Sequence, residues 1–161
     1  MSRNIILGID PGYDRMGVAI IYTQTGKNTL IFSDCLASDK KADFPNRLFE
    51  IGEKLKKIID EYKPTVVAME KVFVTNNQKT AMMVGEIRGL IMYLSLSKKI
   101  PIFDYTPMEI KNTVTGHGQA DKQQVISMVK KLISINKNIA YDDEYDAIAT
   151  ALTCQARESL N

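Results

Sequence analysis

NIILGIDPGYDRMGVAIIYTQTGKNTLIFSDCLA, residues 4 to 37, decides the fold. It opens with a short apolar run, 4 to 10, closed by Pro11-Gly12, the pattern of a buried strand bounded by a turn. Two more runs, GVAIIYT at 17 to 23 and TLIFSDCLA at 29 to 37, are rich in β-branched and aromatic residues, and Thr25-Gly26-Lys27-Asn28 supplies a turn between them. Three consecutive strands on short loops make an antiparallel meander.

Outward from the meander the period changes. Between 44 and 62, Leu48, Ile51, Leu55, Ile58, Ile59 and Tyr62 recur at spacings of three and four, an amphipathic helix that Pro64 stops. TVVAME, 65 to 70, returns to a strand pattern. Residues 77 to 97 are helical, with Met83, Ile87, Leu90, Ile91 and Leu94 in one stripe, and 101 to 105 form a fifth short strand. The remainder reads as helices over 107 to 115, 121 to 134 and 143 to 159, with a Gly-His-Gly loop at 116 to 118. The order βββαβαβ followed by helices predicts an α/β fold, a mixed five-stranded sheet flanked by helices. No repeat, low-complexity run or linker divides the 161 residues, so one domain over 1–161 is expected.

Composition excludes several classes. Apolar residues at 45% and charged residues at 25% are ordinary globular usage. No stretch approaches the roughly 18 uncharged apolar residues of a membrane span, and MSRNIILGID lacks the apolar core and cleavage site of a signal peptide. A cytoplasmic protein without membrane contact is expected. Cys35 and Cys154 lie far apart without ligand spacing, which argues against a disulfide frame or a zinc site and for two small apolar fillers. Net charge is only +2, but residues 71 to 141 hold ten Lys/Arg against four Asp/Glu, while acids gather toward the chain ends. A basic middle beside acidic clusters suits an anionic polymer held over a metal site, although a solvated surface of mixed charge explains the same pattern.

Three features place carboxylates at the edges of this plan. Asp10 ends the first strand, Glu70 ends the fourth, and DDEYD at 142 to 146 opens the last helix. Asp10 alone reads equally well as a turn cap, and Glu70 alone as a strand-end surface acid. If the first and fourth strands are neighbours, however, the two lie side by side and raise each other's pKa unless a cation lies between them. Hard oxygen donors suit magnesium or manganese. Two such ions bridged by an aspartate hydrolyse phosphodiesters without a catalytic histidine. The only histidine, His117, lies in the Gly-His-Gly loop, and its part in the site is left open. On the last helix Asp143 and Asp146 lie about 60° apart on one face, Glu144 points away, and Asp142 is about 40° from Asp146, so geometry alone leaves Asp142 open as a ligand.

These residues carry a resemblance. GIDPG (8 to 12) with Gly17, MEKVF (69 to 73), YTPMEIKNTVTGHGQADKQQV (105 to 125) and DDEYDAIATAL (142 to 152) resemble, in order and spacing, the successive motifs of the RuvC family of bacterial Holliday-junction resolvases. The resemblance covers nearly the whole chain. It implies a ribonuclease-H-like fold, cleavage of four-way DNA junctions, a homodimer, and RuvA and RuvB as branch-migration partners. By position it implies Asp10, Glu70, Asp143 and Asp146 as catalytic ligands of Mg2+, two ions per site with Mn2+ possible, and leaves Asp142 to cap the helix. It implies that Lys111 and Lys122 face the scissile phosphate and that Phe73 stacks on a base, with Lys71 beside it on the DNA. Glycine costs about 1 kcal/mol inside a helix, so Gly85 and Gly89 at i, i+4 suggest a close backbone approach; the resemblance assigns them to the dimer interface, against packing on the domain's own sheet. GIDPGYDRMGVA also resembles the phosphate loop of actin-like ATPases and sugar kinases, but those need a second domain and a glycine-rich adenosine motif. Two further alternatives are a junction-binding protein that has lost cleavage, which the presence of all four acids does not support, and a YqgF-type nuclease-like protein, whose family has a different first motif and lacks the GHGQADK segment.

Overall fold

The computed structural model describes residues 4–71 and 77–158. The meander consists of β1 (Asn4–Asp10), β2 (Arg15–Gln24) and β3 (Lys27–Ala37). Thr25 and Gly26, both at positive φ, make the two-residue turn between Gln24 and Lys27, the backbone sense that matches the twist of a hairpin. β2 and β3 each start two residues earlier than apolar patterning predicts, because Arg15 pairs across to Ala37 and Gln24 to Lys27. Ladder hydrogen bonds extend past the side chains that periodicity can read.

Helix α1 (Phe44–Tyr62) is capped by the Asp43 side chain and ends at Lys63 in the left-handed region, immediately before Pro64. It leads to β4 (Val66–Glu70), which adds to β1 in parallel. Helix α2 (Gln78–Ser97) returns to β5 (Ile102–Tyr105), parallel to β4. The sheet is mixed, in the order β3-β2-β1-β4-β5. Three helices follow: α3 (Pro107–Thr115), α4 (Lys122–Leu132) and α5 (Asp142–Arg157). Capping boxes fix the starts of α3, through Thr106 and Glu109, and α4, through Asp121 and Gln124.

Alternation along the strands divides the core into two. Ile6, Ala19, Ile21, Val66 and Ala68 face α3, α4 and α5, whereas Leu7, Ile9, Val18, Val67 and Met69 face α1 and α2. β1 and β4 are therefore covered on both faces, as their unbroken apolar runs require. Cys154 is buried among the first group and Cys35 is half-buried on β3; both are free thiols.

α5 lies against the sheet backbone itself. A Cβ on Gly8 would fall 2.2 Å from the Ala147 carbonyl oxygen and 2.8 Å from the Ala151 Cβ, and one on Gly17 would fall 1.9 Å from the Asp143 carbonyl oxygen. Bare glycines on β1 and β2 beneath small residues of α5 set the depth at which the helix sits. No helix among the described residues is long and apolar enough to cross a membrane.

Candidate active site

Strand order brings the first two acids together. β1 and β4 pair with Ile9 opposite Met69, so Asp10 and Glu70 follow side by side at the same sheet edge. On the other side of β1, Asp10 pairs with Gly17, and Gly17 supports the Asp143 backbone from below. Asp146, one turn further along α5, bears on the same edge, since its charge acts on both Asp10 and Glu70. The fold thus brings Asp10, Glu70, Asp143 and Asp146, from three distant segments, to the same sheet edge.

Their crowding shows in their proton affinity. The Asp10 carboxyl is pushed up to about 8, first by burial and then by the charges of Glu70 and Asp146. Glu70 and Asp146 are also raised, burial again being the main cause. Asp10 and Glu70 act directly on each other, their contact adding to the rise of Asp10 and opposing that of Glu70.

Basic groups surround the acids. Lys122 Nζ lies 2.5 Å from Asp146 Oδ2, and Lys111 and Lys122 line, with Glu70, Asp146, Pro107 and Ile110, a cavity of about 290 Å³. Arg15 Nε lies 3.3 Å from Asp143 Oδ2. From behind, Arg88 on α2 donates through Nη1 to the Glu70 carbonyl at 2.7 Å, and its Nη2 reaches both Asp104 carboxylate oxygens at 3.2 Å. That contact fixes the peptide that carries Glu70.

Among the described residues, no three His, Cys, Asp or Glu side chains converge as a finished metal cage; Asp143 and Asp146 are engaged by Arg15 and Lys122. The donor set still fits a hard divalent cation. It offers carboxylate oxygens only, and the crowding that raises the proton affinity of Asp10 is the crowding a cation would relieve.

Other expectations fare variously. Asp142 does not cap α5: it is already the first helical residue, and the cap position is Tyr141, which makes no side-chain cap hydrogen bond. Asp142 is exposed near Lys122, on which its charge acts. Glu144 points away from the acids, but inward. It is 4% exposed and accepts from Ser33 Oγ at 2.8 Å and from Lys137 Nζ at 2.9 Å. This buried pair ties the start of α5 to β3, and nothing in an acidic run distinguishes it. His117 is exposed and lines a separate groove with Thr115, Asp121 and Gln124, away from the four acids. Lys71 is exposed just past β4, and its N–H donates to the Tyr105 carbonyl. Phe73 lies outside the described residues. Gly85 and Gly89 are exposed, and a Cβ on either would meet only open space; they do not pack on the chain's own sheet. Arg15, Arg88 and Glu144 are the neighbours that sequence reading missed.

A five-stranded mixed sheet with acids at the ends of β1 and β4 and a third acidic element laid across them defines a ribonuclease-H-like fold with a carboxylate site of nuclease type. The chain belongs to the RuvC family: the family model described as "Crossover junction endodeoxyribonuclease RuvC" matches residues 6–154. Proteins of that name from Petrotoga mobilis and Thermosipho melanesiensis are 41% and 38% identical, each alignment spanning 91% of this chain and 90% and 93% of theirs. The structure of T. thermophilus RuvC in complex with Holliday junction substrate superposes with a TM-score of 0.89 at 25% identity, over 97% of this chain and 96% of that one. The yeast mitochondrial Holliday junction resolvase Ydc2 shares the fold at a TM-score of 0.68 and 16% identity, over 93% of this chain and 78% of that one.

Proposed function

We propose that the chain is a homodimeric endonuclease that resolves four-way DNA junctions by nicking two opposing strands symmetrically, in recombination and repair. Membership of the RuvC family carries the activity, crossover junction endodeoxyribonuclease. The observation that supports the site is the parallel pairing of β1 and β4, which sets Asp10 beside Glu70 under the Asp143 end of α5.

Asp10, Glu70, Asp143 and Asp146 would hold the metal that the family requires, two Mg2+ ions in this reading with Mn2+ as the alternative. When bound, the ions supply Lewis acidity at the phosphorus and lower the pKa of the attacking water. The protein's own contribution is placement. Strand ends and helix hold the carboxylates rigidly. Lys111 and Lys122 sit where the scissile phosphate would enter the cavity beside Glu70 and Asp146, and there they neutralise and orient it. Phe73 and Lys71, past the end of β4, contact the DNA.

One nuclease domain spans 1–161. Gly85 and Gly89 face the second protomer, whose two-fold axis matches that of the junction. RuvA and RuvB are the expected partners, in the cytoplasm.

The test compares a synthetic four-way junction with linear duplex of the same sequence, with and without magnesium. Paired symmetric nicks in the junction alone, lost in Asp10→Asn while binding survives, are expected. Equal cutting of both substrates overturns the reading.

A further inference from the structure

Lys111 and Lys122 flank the acids on the Asp146 side. Arg15 flanks them on the Asp143 side, and no motif assigns it a role. It is the first residue of β2, its side chain 47% exposed, and its ion pair to Asp143 is made through Nε. A guanidinium carries five N–H donors, more than one carboxylate takes up. Its central carbon lies 4.7 Å from the centroid of the Tyr141 ring, and Tyr141 is itself 48% exposed, a large ring left at the surface beside the site. A cation held over an aromatic face is restrained before any ligand arrives. Asp143 and Asp146 are one helical turn apart, so Arg15 and Lys122 meet acids about 5 Å apart along α5. A line of positive charge thus continues past the acids on both sides.

We propose that Arg15, held on the Tyr141 ring, binds a backbone phosphate of the cleaved strand next to the one being cut. The planar fork of arginine suits two phosphate oxygens at once. Arg15 trades its place on Asp143 for the DNA when that carboxylate's charge is taken up by a cation. The proposal rests on the reading of the chain as a junction endonuclease.

The test is fluorescence-anisotropy titration of a labelled four-way junction, in magnesium, on an Asp10→Asn background that binds without cutting. Arg15→Ala is expected to weaken binding about fivefold or more near 100 mM salt, and to reduce the slope of log K against log salt by about 0.7–0.9, one phosphate contact. Arg15→Lys is expected to keep the slope, and Tyr141→Ala to weaken binding less than Arg15→Ala. Repeating Arg15→Ala with Asp143→Asn separates the contact from mere masking of Asp143: the loss should persist. An unchanged slope, or a loss that vanishes with Asp143→Asn, overturns the proposal. Absence of any preference for junction over duplex with Arg15 intact overturns instead the reading beneath it.

Discussion

Gly17 and Asp143 meet backbone to backbone: the space where a Cβ on Gly17 would stand is 1.9 Å from the Asp143 carbonyl oxygen. Since Gly17 is also the ladder partner of Asp10, this contact sets the distance between the first and third acidic segments. Gly17→Ala should push the start of α5 off the sheet, at a cost of about 1–3 kcal/mol for overpacking. Junction cleavage should fall by at least tenfold, because a ligand displaced by an ångström no longer closes the site. Thermal melting and single-turnover cleavage check the two effects separately. A variant with full activity would show that α5 is not positioned by this contact.

The raised Asp10 gives the metal-free protein a definite pH dependence. Its folded pKa, about 8, exceeds its ordinary value of 3.8, so between those values the folded state holds a proton that the unfolded state has released. Stability should therefore fall as pH rises from about 4 to 8. Asp10→Asn removes the titration, so in chelator the variant should melt above the wild type at pH 8 and the difference should shrink toward pH 5. Magnesium should reverse the wild-type trend at pH 8.

Arg88 is bound on two sides, by the Glu70 carbonyl and by Asp104. Arg88→Ala leaves both partially buried acceptors unmatched, a loss of about 2 kcal/mol. Because Glu70 loses its anchor, cleavage should drop further than Arg88→Lys drops it. Urea midpoints and rates measured on the pair decide this.

Substitution of Gly85 and Gly89 separates assembly from folding. Both sites are open, so Gly85→Gln and Gly89→Gln should each raise monomer stability by about 0.5–1 kcal/mol through helix propensity. If α2 is the dimer face, sedimentation should shift to monomer at the same time. A stabilised, unchanged dimer would move the interface elsewhere.

Much of this architecture is legible in the residues. Runs such as NIILGID and TVVAME announce strands covered on both faces, and α1 and α3 begin and end where spacing, Pro64 and Gly116 place them. Asp10 and Glu70 are legible as acids closing apolar runs, significant together only if their strands are neighbours, whereas Asp143 and Asp146 are told apart from Asp142 by the family resemblance and not by spacing. What escapes is what depends on tertiary proximity alone. Glu144 looks like its acidic neighbours until Ser33 and Lys137 close over it. Arg15 and Arg88 look like surface cations because their partners lie far away in sequence. Asp142 has the composition of a cap, but the backbone turns helical one residue too early for it to serve.

The double cover on β1 and β4 has a consequence for how the protein fails. Asp10 and Glu70 end the two strands sealed by both halves of the core, and Asp143 and Asp146 ride on the helix that seals one of them. Such elements exchange their amides only through global opening, whereas frayed ends and surface connections open at little cost. The carboxylates should thus keep their arrangement up to the unfolding transition, and heating should extinguish metal binding and the native sheet in a single step.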